Sequence, residues 1–335
     1  PNEKLVCFFY DPNIHPYSEY KLRYFDVEFS CKKLGIELLE GPYDIEAWLK
    51  MVKGLENEPE KGDRCTVCFD NRLEVSQDKA LELGHDKFTT TLLISPKKSQ
   101  EKLQRIGADL SSKNPCEFIF KDYRSGQGMH LQAQEVKENQ LYRQNYCGCI
   151  FGLTAQREQQ NKFLDELISP INKQILPESI EERLELYATR NSNEEQNKKY
   201  KIIKTRFLNY RLLNAHIKIN KQTVPSYFLA YSTLKKKSTY GRIEIIHDEI
   251  AYLNRDEIKA ITIDTFNKLA NTNYKNVQEL YFNPPKFEIE QNIRNTITSN
   301  PFDLSTIIVL DELNDEKIEV YLDSITFEDV KEKIV

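Results

Sequence analysis

Short apolar runs alternate with helix-like segments over the first 120 residues of this chain, and this alternation constrains its fold more than any other feature. The apolar runs, which are typical of buried strands, are residues 5–10, 36–39, 88–94 and 117–120. The helix-like segments between them are residues 18–34, 44–55, 65–83 and 99–106. Strands that alternate with helices predict an α/β domain with a parallel, twisted sheet.

The loops that follow the apolar runs are where we expect functional side chains, because parallel sheets bind ligands at the carboxyl ends of their strands. These loops are residues 11–17, 41–43, 95–98 and 121–128. Each of them contains Pro or Gly, which is typical of turns.

The pattern changes after Cys149. Residues 152–168 and 177–190 are helix-like, residues 192–199 are polar and resemble a linker, and β-type runs follow between residues 200 and 322. We therefore predict three parts. They are an α/β domain over residues 1–170, a helical connector over 171–199, and a mostly β or α+β accessory domain over 200–335.

Positive charge is concentrated in residues 196–243, which contain twelve Lys and Arg and no Asp or Glu, although the whole chain has a net charge of −5. Aromatic residues such as Tyr200, Phe207 and Tyr210 lie among these cations. Basic groups bind phosphates and aromatic rings stack on bases, so this stretch predicts RNA binding. The alternative is a solvated basic face of an ordinary domain. The predicted RNA-binding cations are Lys199, Lys201, Lys204, Arg206, Lys235, Lys236 and Lys237, of which the last three look like a hairpin connection.

The chain has seven cysteines, and four of them form two close pairs, Cys65 with Cys68 and Cys147 with Cys149. Two such pairs can hold a structural zinc ion or an iron–sulfur centre, and a Cys-x-x-Cys pair can also be a thioredoxin-type redox couple. Cys147 and Cys149 could form a strained, labile disulfide, and would then be a redox-active dithiol. We interpret the other three, Cys7, Cys31 and Cys116, as small buried hydrophobic residues.

The odd cysteine count argues against a disulfide framework and favours reduced thiols in the cytoplasm. The chain is 39% hydrophobic and 30% charged, which is a globular composition. No run reaches about 18 uninterrupted apolar residues, so we expect no membrane span.

Several uncommon strings occur together in the first half: FFYDPNIHPYSEYKLR at 8–23, RCTVCFDNRL at 64–73, FTTTLLISP at 88–96 and LYRQNYCGC at 141–149. In these strings the chain resembles the cobalamin-independent epoxyqueuosine reductases, the QueH family, over about residues 4–152. The resemblance implies a fold similar to adenine-nucleotide α-hydrolases. It also implies reduction of epoxyqueuosine to queuosine at the wobble position of tRNA with a GUN anticodon, the last step of queuosine biosynthesis, with electrons from an unidentified donor.

The resemblance also implies a [4Fe-4S] cluster and leaves open an additional iron. Cys65 and Cys68 match a pair that supplies cluster ligands. Cys147 and Cys149 match a pair that is either a redox-active dithiol or part of the metal centre. The family has an adjacent Cys-Cys pair after its first strand, and this sequence has none. We therefore expect that a strand and this pair precede Pro1 in a longer protein, so that the α/β domain is incomplete at its N-terminus.

Loss of the epoxide oxygen as water needs a proton donor, and the loops after the strands offer several. With Cys147 and Cys149, the predicted catalytic residues are His15, Asp122 and Tyr146; Asp11 is a further acid in these loops. The predicted substrate-binding residues are Asn13, Arg124, Arg143 and Gln144. The alternatives are a turn-stabilising role for His15, a surface ion pair for Asp122 and Arg124, and a loop-anchoring role for Arg143 and Gln144. Two other functional classes stay open: a zinc-stabilised nucleic-acid-binding protein without redox activity, and a thiol–disulfide oxidoreductase.

Overall fold

The computed structural model describes residues 4–96, 98–170 and 172–335 of the chain. These residues form two compact units. Unit 1 comprises the described residues up to Ile168 together with Arg183–Ile202, and unit 2 comprises Ser169–Glu182 and Ile203–Lys333. The segment 171–199, which the sequence predicts as a connector, is thus divided between the two units.

Unit 1 is built from short parallel strands and helices, so the predicted α/β class is confirmed. Its elements, with the helix that leads out of unit 2, are β1 (Val6–Phe9), α1 (Tyr17–Leu34), β2 (Glu37–Glu40), α2 (Ile45–Met51), α3 (Asp63–Glu82), β3 (Lys87–Phe88), α4 (Gln100–Lys113), β4 (Glu117–Phe118), α5 (Gly128–Glu138), α6 (Ile150–Gln159) and α7 (Ile180–Glu195). Within the described residues the strands form two parallel pairs, β1 with β2 and β3 with β4.

The predicted strand over residues 88–94 is wrong beyond Phe88. The chain instead forms a 3₁₀ turn over Thr91–Ile94, and the Thr90 side chain accepts a hydrogen bond from the Leu92 N–H at 3.2 Å. A run of threonines favours strands on average, but a Thr hydroxyl can also satisfy a nearby backbone N–H and so compete with sheet pairing. Helix α5 is not predicted because none of its residues is buried, and a helix without a buried face shows no apolar period.

Unit 2 is α+β, as predicted. Its elements are β5 (Ile202–Ile219), β6 (Gln222–Val224), β7 (Tyr227–Phe228), β8 (Ser238–Gly241), β9 (Ile243–His247), β10 (Ile250–Leu253), β11 (Lys259–Thr262), α8 (Ile263–Ala270), α9 (Val277–Phe282), α10 (Phe287–Thr298), β12 (Ile307–Leu310) and β13 (Ile318–Ile334). One sheet has the order β7-β12-β11-β10-β9 and the other β6-β5-β13-β8.

The two sheets pack against each other through one shared apolar core. Each sheet therefore has one face toward this core and one face away from it. Ile217, Val320 and Leu322 of the four-stranded sheet pack with residues of the five-stranded sheet such as Ala260 and Ile308. Helices α8, α9 and α10 cover the opposite face of the five-stranded sheet. The alternate residues of the four-stranded sheet therefore point away from this core.

Three predictions for unit 2 need correction. The two expected runs 200–208 and 213–219 are a single strand, because Asn209 and Arg211 between them are buried and hydrogen-bonded at 2.7 Å to one another instead of ending the strand. Residues 235–237 do not close a hairpin; they connect β7 of one sheet to β8 of the other. Helices α8 to α10 are not predicted from the sequence pattern.

Across the described residues, every helix is too short or too polar to span a lipid bilayer.

Candidate active site

Four cysteine side chains line one small pocket of unit 1. Cys65 and Cys68 lie on the first turns of α3, and Cys147 and Cys149 lie in the loop that leads into α6, where Cys149 is the N-cap residue. The other residues that line this thiol pocket are Asn13, Trp48, Arg64, Phe69, Arg72 and Lys98. The fold thus brings together two pairs that are far apart in sequence. Both pairs are at helix N-termini, where the dipole favours thiolates.

The loop that carries Cys147 is fixed by the loop that follows β1. The backbone N–H of His15 donates to the Gly148 carbonyl at 2.8 Å, and the Asn13 amide donates to the Cys147 carbonyl at 3.4 Å. The Tyr146 hydroxyl donates to the His15 carbonyl at 2.5 Å. These contacts position the second cysteine pair from a segment more than a hundred residues earlier.

Gly148 is required for this arrangement. Its φ of +103° lies in the left-handed region that side chains rarely adopt. A Cβ atom at this position would lie 2.7 Å from Cγ1 of Ile14 and 3.1 Å from Nδ2 of Asn13. The glycine between the two cysteines therefore permits close packing of the two loops.

A buried ion pair supports the same loop from α1. Arg23 pairs with Glu19 at 2.7 Å, and its Nη2 donates to the Tyr146 carbonyl at 3.0 Å. The Tyr142 hydroxyl donates to the Glu19 carboxylate at 3.0 Å. Because the buried carboxylate and guanidinium are both paired and hydrogen-bonded, the charges are compensated and the loop is held in place.

The four thiols lie in different electrostatic surroundings. A hydrogen bond from the Cys149 thiol lowers the pKa of Cys147 to about 5, while the same contact raises the pKa of Cys149. Burial raises the pKa of Cys68, against the effect of Arg72 and of the Trp48 indole. The Cys65 sulfur accepts a hydrogen bond from the Lys61 N–H at 3.3 Å.

The pocket contains most of the unpartnered buried polar atoms of the described residues. Five buried side-chain atoms of the described residues lack a hydrogen-bond partner. Four of them belong to residues that line the pocket: Asn13 Oδ1, Trp48 Nε1, Arg64 Nε and Arg72 Nε. The Trp48 indole lowers the pKa of Cys68, but its N–H makes no hydrogen bond of standard geometry. Three of the four atoms are N–H donors, which would suit an acceptor-rich anionic group between the thiols.

The donor set fits an iron–sulfur centre. It combines four thiols, three cations (Arg64, Arg72 and Lys98) and three unpartnered N–H donors around one space. Within residues 4–96, 98–170 and 172–335, no three His, Cys, Asp or Glu converge as ligands of a single metal ion. A multi-iron cluster is several ångströms across, so its ligands surround it at its corners instead of meeting at one point.

Of the polar residues predicted for catalysis or substrate binding, Asn13 is the one that the structure places on the pocket. Tyr146 is buried and its hydroxyl is engaged by the His15 carbonyl, and burial raises its pKa. The His15 side chain is half-buried, which lowers its pKa.

The predicted residues of the 121–128 loop lie outside the pocket lining. Asp122 is exposed, and its carboxylate accepts the Arg124 N–H at 2.9 Å. The Arg124 guanidinium donates to the Lys98 carbonyl at 3.3 Å, so it contacts the segment that carries one of the pocket cations. Arg143 and Gln144 are exposed on the loop before the second thiol pair.

Sequence reasoning missed five pocket residues: Trp48, Arg64, Phe69, Arg72 and Lys98. Arg72 follows Cys68 by four residues, which is the spacing of neighbours on one helix face and is the signal that could have found it. Arg72 is also paired with Asp11, and Arg64 donates to the Glu56 carbonyl at 2.6 Å. Trp48 has no such signal, because only the fold brings α2 against α3.

The predicted RNA-binding cations are divided between the units. Lys199 and Lys201 are exposed residues of unit 1, whereas Lys204 and Arg206 belong to unit 2, where Lys204 pairs with Glu332 at 2.9 Å. Lys235 and Lys236 line a cleft of unit 2, and Lys237 pairs with Asp323 at 2.6 Å. The acid-free stretch of sequence is therefore not one continuous basic surface of a single unit.

Comparison with known proteins shows which family this chain is similar to. The family model for epoxyqueuosine reductase QueH matches residues 1–155. The epoxyqueuosine reductase QueH of Helicobacter pylori is 42% identical over 337 aligned residues, which cover 96% of this chain and 91% of that protein. The proteins of the same name from Streptococcus pyogenes and Thermotoga maritima are 36% and 37% identical over 45% of this chain, covering 62% and 80% of their own lengths.

Proposed function

Because this chain belongs to the QueH family of epoxyqueuosine reductases, we propose that its thiol pocket is the site where epoxyqueuosine in tRNA is reduced to queuosine. The chain is accordingly an oxidoreductase that acts on tRNA. The observation that carries the assignment to this pocket is the meeting of both cysteine pairs around one space lined with cations.

We infer that the pocket holds a [4Fe-4S] cluster, with Cys65 and Cys68 as ligands. Such a cluster, when bound, supplies electrons one at a time. Arg64, Arg72 and Lys98 would offset the negative charge of thiolates and sulfide. The unpartnered N–H groups of Trp48, Arg64 and Arg72 are available to donate to sulfur.

Reduction of an epoxide to an alkene consumes two electrons and two protons and releases water. The electrons require a separate donor protein or small reductant. Among the pocket-lining side chains other than the thiols, the Lys98 ammonium is an acid that can give a proton to the departing oxygen. Tyr146 does not line the pocket, and its hydroxyl proton is engaged by the His15 carbonyl. The Asn13 amide oxygen lines the pocket without a partner, which supports a role for Asn13 in orienting a polar group of the nucleoside.

We further propose that the substrate is a tRNA with a GUN anticodon, that residues 200–335 help to hold it, and that the enzyme works in the cytoplasm. A base inside the anticodon loop must be turned outward before a pocket of this size can reach it. Contacts to the surrounding RNA compensate for that cost.

Anaerobic loading of the full-length protein, including the segment expected before Pro1, with iron and sulfide tests the proposal. We expect about four irons and four sulfides per chain and broad visible absorbance. With a chemical reductant, the loaded protein should convert epoxyqueuosine-containing tRNA to a product one oxygen lighter by mass spectrometry. One bound zinc, no visible absorbance and unchanged tRNA would instead support a zinc-stabilised binding protein. Disulfide reductase activity without any change in tRNA would support a thiol–disulfide oxidoreductase.

The double variant Cys147→Ser/Cys149→Ser distinguishes the two roles of the second pair. If the thiols are ligands, iron content falls together with turnover. If they are a redox-active dithiol, iron content is unchanged while turnover is lost.

A further inference from the structure

The outer face of the four-stranded sheet in unit 2 forms a cleft of about 740 Å³. Ile217, Val320 and Leu322 point into the core, so their neighbours on β5 and β13 point outward. These neighbours include His216 and Tyr321, and both line the cleft. This volume is in the range of small-molecule sites and is enough for one or two nucleotides.

The floor of this cleft is aromatic. The rings of His216 and Tyr321, on the adjacent strands β5 and β13, are stacked with centroids 5.1 Å apart and an interplanar angle of 20°. Both side chains are only partly buried. Tyr240 on β8 lies directly opposite Glu319 on β13, on the same face. The sheet thus presents a partly exposed aromatic pair from strands that are distant in sequence.

Cations surround the aromatic floor. Lys218, Lys235 and Lys236 line the cleft, and among the residues that the structure describes none of the three makes an ion pair. The Arg255 guanidinium lies 4.4 Å from the centre of the Tyr240 ring. Two acids, Asp256 and Glu319, also line the cleft, and Asp256 accepts a hydrogen bond from the Thr239 hydroxyl. Cations therefore exceed acids in the lining, and several are available for a ligand.

We infer that this stacking cleft, lined by His216, Lys218, Lys235, Lys236, Tyr240, Arg255 and Tyr321, binds single-stranded nucleotides of the tRNA substrate. The inference rests on the proposed function for the identity of the RNA. A base stacks on the Tyr321 and His216 pair, and the flanking phosphates contact Lys218, Lys235 and Lys236. Stacking of bases on aromatic residues of a sheet face, with basic residues at its rim, is a general mode of single-stranded RNA recognition.

An acidic protein segment is a weaker candidate for this cleft. The lysines of the cleft would attract such a segment, but it has no aromatic base to stack on the rings of His216 and Tyr321. Asp256 and Glu319 would also repel it. RNA uses both features, since each nucleotide has a phosphate and an aromatic face.

Two kinds of variant separate stacking from charge. Tyr321→Leu should weaken binding of a GUN-anticodon tRNA by about fivefold or more, with little change in the salt dependence of the affinity. Tyr321→Phe keeps the ring and should bind as the unmodified protein does. The double variant Lys235→Gln/Lys236→Gln should lower the slope of log affinity against log salt by about 1 to 1.5.

Matched controls lie elsewhere on unit 2. Phe282 is 79% exposed and outside the cleft, so Phe282→Leu should leave tRNA affinity unchanged. Lys275 and Lys286 are exposed and do not line the cleft, so Lys275→Gln/Lys286→Gln should leave the salt slope nearly unchanged. Ultraviolet cross-linking of tRNA to the unmodified protein, read by peptide mass spectrometry, should label the Tyr321 peptide without any variant.

The outcomes distinguish the two proposals. Normal tRNA affinity in Tyr321→Leu, with no cross-link at Tyr321, would overturn the stacking cleft even if the enzyme reduces its substrate. Displacement of tRNA by polyglutamate that depends on the lysines but not on Tyr321 would indicate an acidic protein ligand and would also overturn it. Failure of the loaded enzyme to reduce epoxyqueuosine, with tRNA binding still sensitive to Tyr321, would contradict the proposed activity and leave the cleft intact.

Discussion

The thiol pocket of unit 1 and the stacking cleft of unit 2 are built in opposite ways. The thiol pocket is small; helix α3 carries one cysteine pair, and a loop fixed by buried contacts carries the other. The stacking cleft is larger, and regular strands present its side chains by simple alternation. A site built from interlocked loops depends on exact backbone geometry, whereas a site on a sheet face depends on which side chains occur there. Substitutions should therefore act differently in the two places.

The largest effect is expected at the thiol pocket itself. Cys65→Ser should reduce iron retention and turnover by at least about 100-fold, because serine is a poor ligand for iron in such clusters. Iron content per chain and product formation at saturating tRNA measure the two effects. Cys7→Ala is the matched control, because Cys7 lies on β1 and does not line the pocket. Normal iron content in Cys65→Ser would remove the basis of the cluster assignment.

Loop geometry is the next test. Gly148→Ala should destabilise the protein by about 3 kcal/mol, because a side chain is strained at a φ of +103° and would press on Ile14. Gly84→Ala is the control. Its φ is +74°, but a Cβ atom there meets nothing within 4 Å, so a cost of only about 1 kcal/mol is expected.

Urea unfolding followed by circular dichroism would compare the two glycine variants. Equal costs would mean that packing between the two loops contributes little to the thiol pocket.

The smallest effect is a pH dependence in the interior of unit 2. Glu290 is buried and accepts hydrogen bonds from Tyr227 at 2.6 Å, Ala230 N–H at 2.8 Å and Gln174 at 2.6 Å, with Arg294 nearby. Burial raises its pKa despite these donors and the charge of Arg294. The folded state therefore binds the proton more tightly than the unfolded state.

The contribution of Glu290 to the free energy of unfolding should accordingly fall as the pH rises from the ordinary glutamate pKa, about 4.3, through the raised value. Above that value the contribution becomes constant. The difference in unfolding free energy between the unmodified protein and Glu290→Gln, measured by urea titration between pH 4 and 7, isolates it. If the unmodified protein instead gains stability relative to Glu290→Gln as the pH rises, the predicted direction of the pKa shift of Glu290 is wrong. Iron content should be the same in both proteins.

The local pattern predicted the elements better than their pairing. Apolar alternation located β1, β2, β4 and most helices of unit 1. It failed at residues 91–94, where the Thr90 hydroxyl satisfies a backbone N–H and favours a 3₁₀ turn. It also failed in β5, where buried Asn209 and Arg211 look like a break in sequence but are hydrogen-bonded inside the strand.

The sites show the same limit. Close spacing in sequence singled out the four cysteines, and short-range composition singled out Lys235 and Lys236. Neither of these local signals shows that Lys237 is paired with Asp323 or that His216 stacks on Tyr321, because these partners are about a hundred residues apart.

The sequence by itself determined the α/β character of the first half, the two cysteine pairs and the family resemblance, because each of these is recognised from short stretches of consecutive residues. The tertiary structure alone decided that Trp48, Arg72 and Lys98 surround those cysteines and that an aromatic pair lies at the floor of the cleft. Those contacts arise from the packing of α2 against α3 and from the pairing of β5 with β13. Such long-range packing depends on the whole chain burying its apolar surface, and no local pattern encodes it.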